Sequence, residues 1–214
     1  MQEQSSSAPV VFVVDDDSDV REGFEAVFHS VGLKSLAFRS AAEFLQARVP
    51  DDVSCLILDV RLPGLNGLDF QDRLAKSDIN IPIIFITGHG DIPMCAKAIK
   101  AGAVEFLTKP VREQDLLDAV KVALERDRAR RERDREAQAL RSRFNALSAR
   151  ELEVMGLVCS GLMNKQTAAK IGVSEVTVKV HRHNVMKKLG ARSLADLVKM
   201  AGSLGMPCGK SERS

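Results

Sequence analysis

The chain has 214 residues, enough for two ordinary domains that each bury a core. Its apolar fraction is 45% with neither Trp nor Tyr. No stretch approaches the roughly 18 consecutive apolar residues of a membrane span, which argues against a helical membrane protein. The net charge of +2 conceals an asymmetry: residues 1–124 carry 12 Lys+Arg against 19 Asp+Glu, residues 125–145 carry 8 against 5, and residues 146–214 carry 11 against 5. An acidic first half joined to a basic second half implies that only the second meets a polyanion.

Residues 1–9 are polar, with Glu3 the only charged side chain, and do not form a secretory signal. The run Val10–Val14 is β-branched and continuous, the pattern of a strand buried on both faces. A helix is predicted over 18–31, closed by Gly32. A short strand over Lys34–Phe38 precedes Ser40-Ala41-Ala42-Glu43, whose S-x-x-E form opens a second helix. Strands over 55–58, 83–86 and 104–107 alternate with helices over 68–77 and 92–101, and a last helix starts near Glu113. Five apolar strands alternating with five helices predict an α/β domain built on a doubly wound, five-stranded parallel sheet, with its site outside the carboxyl ends of the strands.

From Glu125 to Arg143 charges of both signs interleave without Gly or Pro. A semi-rigid helical linker over 125–144, held by i,i+4 pairs of about 0.2–0.5 kcal/mol each, is favoured over a frayed one. Beyond it, Ser148 to Glu151 is another capping box, Asn164 is placed to cap a second helix ending at Ile171, Ser174 a third running to Leu189, and a fourth follows Ser193. Four short helices form a small all-α domain over 145–202. The tail after Gly202, rich in Gly, Pro and Ser, is expected to lack order. Cys55, Cys95, Cys159 and Cys208 show no metal spacing and read as free thiols in a reducing compartment.

Chemistry concentrates at the strand ends of the first half. Asp15 and Asp16 follow the first strand, Asp59 the third and Lys109 the fifth, and Thr87 ends the fourth. Three converging carboxylates repel one another unless a cation neutralises them, and hard oxygen donors select Mg²⁺. One carboxylate is then positioned as a nucleophile toward an incoming phosphoryl group, with Lys109 and the Thr87 hydroxyl meeting its oxygens.

The segments Val14-Asp15-Asp16-Asp17, Asp59-Val60-Arg61-Leu62-Pro63-Gly64-Leu65-Asn66-Gly67, Thr87-Gly88-His89 and Phe106-Leu107-Thr108-Lys109-Pro110 resemble the signature of receiver domains of two-component systems, over roughly residues 9–124. The resemblance implies a flavodoxin-like fold and Asp59 as acceptor of phosphate from a sensor histidine kinase. It also implies a Mg²⁺ site made by Asp16, Asp59 and the Arg61 carbonyl, with Asp15 holding metal-bound water, and a cis Lys109-Pro110 peptide. Thr87 and Phe106 would form a switch pair; a plain core role for Phe106 stays open. Phe stands where many relatives have Tyr, so no phenol hydroxyl is available in the active rotamer. Arg61 and His89, each two residues beyond a site residue, are candidates for tuning autodephosphorylation.

In the second half, residues 164–171, Gly172-Val173 and residues 174–189 give helix, tight turn, helix. Val178, Val185 and Leu189 share an apolar stripe, and Lys179, His183 and Lys187 share another. A basic stripe of this kind suits a major groove, or alternatively a solvated face on a protein-binding helix. Leu147-Ser148-Ala149-Arg150-Glu151, Gly161-Leu162-Met163-Asn164-Lys165 and Val176-Thr177-Val178-Lys179-Val180-His181 resemble the LuxR-type DNA-binding domain of NarL/FixJ response regulators, and with residues 87–94 the whole is most similar to the FixJ-like branch. Base contacts are assigned to Lys179, Val180 and His183, and phosphate contacts to Lys165, Arg182, Lys187 and Lys188. The resemblance implies a cytoplasmic, phosphorylation-dependent transcription factor that is no enzyme. Double-stranded DNA, a second copy of the chain when phosphorylated and RNA polymerase are its expected partners. Two rivals are weighed: an aspartyl-phosphate phosphatase, which would need a carboxylate where Arg61 stands, and a regulator with a vestigial receiver, against which the complete acidic set argues.

Overall fold

The computed structural model describes residues 8–47, 50–63, 65–77, 79–88 and 92–206. The N-terminal segment before residue 8, His89 and the tail from Pro207, including Cys208, lie outside the described residues. The first unit is built from β1 (Val10–Val14), α1 (Ser18–Ser30), β2 (Lys34–Phe38), α2 (Ala41–Gln46), β3 (Ser54–Asp59), β4 (Arg61–Leu62), β5 (Leu65–Asn66), α3 (Gly67–Lys76), β6 (Ile83–Thr87), α4 (Ile92–Lys100), β7 (Glu105–Thr108) and the first part of α5 (Glu113–Asn145). The sheet order β2-β1-β3-β6-β7, parallel throughout, is the doubly wound arrangement read from the sequence.

Alternation along each central strand divides the core in two. Phe12, Val14, Leu56, Leu58 and Phe85 face a cluster closed by Phe44 of α2, Phe70 and Leu74 of α3 and Ala98 of α4. Val11, Val13, Cys55, Ile57, Ile84 and Ile86 face the other side, closed by Phe28 of α1 and by Leu116, Val120, Ala123 and Leu124 of α5. With both faces covered, a strand has no solvent side, which is why β1, β3 and β6 read as unbroken apolar runs. The two-residue antiparallel pair β4–β5 had no sequence signal, being too short to show a period.

Helix α5 is continuous for 33 residues, so the charged stretch after residue 125 is helical. Its buried positions, Leu116, Ala119, Val120, Ala123, Leu124 and Asp127, recur at helical spacing and stop at Asp127. Asp127 is fully buried: its carboxylate accepts from the Ser54 backbone N–H at 3.0 Å and from Arg130 and Arg131 at 2.6 Å each. Arg131 also binds the Asp51 carboxylate. This clasp carries the first unit's packing past residue 124, and the division between units falls between Glu132 and Arg133.

The second unit contains α6 (Ala149–Cys159), α7 (Asn164–Ile171), α8 (Glu175–Leu189) and α9 (Leu194–Ser203). Ser148 and Ser174 cap α6 and α8 through their side chains, as their spacing predicts, and Ser193 caps α9 in the same way. Asn164 does not cap α7. It is the first helical residue; Met163 precedes it, and the Gln166 side chain accepts from the Met163 N–H at 2.8 Å. Gly172 closes α7 at φ 69°, a left-handed conformation natural to glycine, and so makes the turn into α8. Two apolar clusters hold this unit: Met155, Val185, Leu189, Leu197 and Ala201 in one, and Val154, Val158, Ala168 and Val178 in the other.

Candidate functional site

Asp15 follows β1 directly, and Asp17 caps α1 by accepting from the Asp19 N–H, so Asp15 and Asp16 are fixed between a buried strand and a helix start. Asp59 is the last residue of β3, Thr87 the last of β6, and Lys109 follows β7. The parallel register brings these ends to one edge, where Asp59 sits beside Ile86 and Thr87 beside Thr108. One carboxylate oxygen from each of Asp15, Asp16 and Asp59 lies within 4.8 Å of the others. Asp15 and Asp59 are buried, whereas Asp16 is exposed at the mouth.

Each buried carboxylate is held at both oxygens. Asp15 accepts from the Asp17 N–H at 2.9 Å and from Lys109 Nζ at 2.7 Å. Asp59 accepts from the Arg61 N–H at 2.8 Å and from Lys109 Nζ at 2.6 Å. A single ammonium therefore bridges two carboxylates while a third stands nearby. Burial raises the Asp15 carboxyl above the ordinary aspartate range, against the lowering effect of the Lys109 bond. For Lys109 burial works downward, but the bonds to Asp15 and Asp59 outweigh it and keep the ammonium charged. Thr87 is fully buried, and its carbonyl accepts from the Lys109 N–H at 2.8 Å. The Lys109-Pro110 peptide is cis.

Phe106 is half-buried on β7, its ring 6.4 Å from that of Phe85 in the core cluster. Arg61 is exposed on β4; its backbone is tied to Asp59, while its side chain faces solvent. Gly67 closes the Asp59–Gly67 motif, and the sequence alone gives it no role. A Cβ there would lie 2.7 Å from the Asp59 carbonyl oxygen and 3.0 Å from Val60 Cα, so α3 starts against the backbone that carries Asp59. The motif contained the glycine; the contact that requires it crosses eight residues and is visible only in space.

In the second unit, Val178, Val185 and Leu189 of α8 are buried, while Lys179, Val180, His183 and Lys187 are exposed. Lys179 pairs loosely with Glu175 at 3.3 Å, and Lys165 is exposed on α7. Arg182 is half-buried and donates to the Asn164 side chain at 3.2 Å, which ties α8 to α7. Lys188 departs from its expected role. Its ammonium donates to the Glu151 carboxylate at 2.6 Å and to the Ala146 carbonyl at 3.2 Å, and Glu151 is buried. The same carboxylate accepts from the Ser148 N–H at 2.8 Å. Lys188 thus pairs with a buried carboxylate rather than standing free for a phosphate, a correction the local sequence could not supply because its partner is 37 residues away.

Residues 11–121 match the response regulator receiver domain family, and residues 145–201 match the luxR family of bacterial regulatory proteins. The chain is a LuxR-type response regulator. Nodulation protein W of Bradyrhizobium diazoefficiens is 56% identical over 211 residues, 99% of this chain and 93% of that protein. Response regulator protein TmoT of Ectopseudomonas mendocina is 46% identical, covering 95% of this chain and 92% of that one. Among solved structures, the response regulator StyR superposes with a TM-score of 0.81 at 48% identity, covering 92% of this chain and 99% of that chain. Full-length FixJ from B. japonicum gives 0.55 at 36% identity, covering 92% and 97%. This response regulator is a two-component transcription regulator governed by phosphorylation, with a DNA-binding helix-turn-helix unit at its C-terminal end. Among the described residues no helix is long and apolar enough to cross a membrane.

Proposed function

We propose that Asp59 is the residue that takes the phosphoryl group from a sensor histidine kinase, and that the resulting aspartyl phosphate drives pairing of two copies of the chain on DNA. The observation that carries this reading is the double tether of Asp59: the Arg61 N–H and Lys109 Nζ hold its two oxygens at 2.8 and 2.6 Å at the open edge of the sheet. A side-chain oxygen attacks the phosphorus of a phosphohistidine, the new O–P bond replaces the P–N bond, and the imidazole nitrogen leaves with its electron pair and takes up a proton. Lys109 meets the phosphoryl oxygens as charge develops on them. Thr87 at the end of β6 and Phe106 on the adjacent β7 then report the change by hydroxyl and ring movement.

The donor set fits a hard divalent cation. One ammonium pairs with two of three neighbouring carboxylates, leaving net negative charge at a site of oxygen ligands. Asp15, Asp16, Asp59 and the Arg61 carbonyl would hold Mg²⁺, which would supply charge neutralisation for the transferring phosphoryl group. On the helical unit, Lys179, Val180 and His183 are assigned to base edges and Lys165, Arg182 and Lys187 to phosphates. The chain acts in the cytoplasm as a switch that engages RNA polymerase at a promoter, not as a turnover enzyme. Arg61, where a hydrolase would need a carboxylate, supports that reading.

The test is Mg²⁺-dependent labelling by a small phosphodonor. Asp59→Asn keeps the shape but loses the anionic nucleophile. It is expected to abolish labelling and the stimulated DNA binding while the chain stays folded by circular dichroism. A mutant that labels like the wild type would overturn the assignment.

A further inference from the structure

The exposed face of α8 carries more apolar surface than a solvated helix requires. Val176 is 69% exposed and Val180 53% exposed. At roughly 100° per residue the two lie about 40° apart around the helix axis, and Val176 lies about 160° from the buried Val178. Lys187, His183 and Lys179 flank the same face, and all three are exposed. Two β-branched side chains therefore project side by side, opposite the packed stripe and beside Lys179 and Lys187.

The structure assigns Val176, together with Val180, to a two-residue apolar reader of thymine methyl groups in the major groove. The inference rests on the reading of α8 as the DNA-contacting helix. Three observations select this occupant. Two lysines, Lys179 and Lys187, lie on this face and residues 146–214 carry a surplus of six positive charges, which suits a polyanion and disfavours a hydrophobic protein surface. The major groove presents one apolar feature, the thymine methyl. Finally, the first turn is held before any ligand arrives: the Ser174 hydroxyl oxygen accepts from the Thr177 N–H at 3.1 Å and the two hydroxyls lie 2.8 Å apart. Val176 has no long side chain to order, so little conformational freedom is lost on contact. Lys179 and His183 would read hydrogen-bonding edges, whereas Val176 and Val180 would separate thymine from cytosine at neighbouring positions.

The experiment uses the full-length chain, phosphorylated with a small phosphodonor. A binding site is first selected from random DNA, and each thymine in it is then replaced singly by deoxyuridine, which removes only the methyl. The wild type should lose about fourfold in affinity at one or two thymines, the scale of one buried methyl. Val176→Ala should bind the unmodified site correspondingly more weakly, and deoxyuridine at one of those positions should then cost it nothing further. Because Val176 is exposed, the variant's melting temperature should match the wild type, and Val176→Ile should keep the methyl dependence. Identical deoxyuridine profiles for wild type and Val176→Ala would overturn the proposal while leaving α8 as the reading helix. Failure of the wild type to enrich any site would instead overturn the reading of α8 itself.

Discussion

Two lysine–carboxylate clusters, one in each unit, use the same chemistry to opposite ends. In the receiver, Lys109 serves both Asp15 and Asp59, with Asp16 close by, so cationic charge is short. In the helical unit, Lys188 pairs with Glu151, whose same carboxylate oxygen also accepts the Ser148 N–H, so charge is matched one to one. Asp15, Asp59 and Glu151 are all buried at strand or helix ends. What separates them is stoichiometry. A buried site with a surplus of carboxylate oxygens attracts a cation and an electrophile, whereas a balanced one holds two helices together.

Removing the lysine from each cluster should therefore have different consequences. Lys109→Met leaves Asp15 and Asp59 facing each other; phosphodonor labelling should fall by about 100-fold or more. The receiver's melting temperature should also become strongly dependent on Mg²⁺. Labelling within about threefold of wild type would erase the proposed contrast.

Glu151→Ala, the corresponding break in the balanced cluster, should leave labelling intact. It should lower the stability of the helical unit by about 1.5–3 kcal/mol, the range for hydrogen bonds to a charged group. Denaturant unfolding checks this, and a change in phosphorylation instead of stability would show that the cluster has a signalling role.

Acid sharpens the same point. The Lys188 bond, with the Ser148 N–H, holds the Glu151 carboxyl below its ordinary value of about 4.5, against the raising effect of burial. A depressed folded-state pKa contributes stability that is present above the unfolded value and is lost as pH falls through the folded one. The helical unit should thus lose stability steadily as pH drops below about 4.5. Lys188→Met should flatten that dependence, which melts of wild type and variant across this window would reveal.

The smallest expected effect belongs to Lys187, which is exposed beside Lys188. Lys187→Ala should reduce the salt slope of DNA binding by about one without altering base preference. A titration over several salt concentrations measures it. An unchanged slope would mean that Lys187 does not lie against the phosphate backbone.

The receiver was largely legible in the chain itself. A strand buried on both faces must be a continuous apolar run, and the first polar residues after it must lie at its carboxyl end. Asp15, Asp16, Asp59, Thr87 and Lys109 are therefore legible at strand ends from the sequence alone, and the serine caps of α6, α8 and α9 are readable because a cap acts within three residues. Contacts between distant segments were not. Tertiary structure alone decided that Lys188 meets Glu151 and that Gly67 must lack a side chain against the Asp59 carbonyl. It also decided that Asp127, one acid in a run of alternating charges, is buried against the Ser54 N–H 73 residues away. The physical reason is common to all three: charge and size are written in the sequence, but whether a charged residue meets water or a partner depends on which surface folds against it.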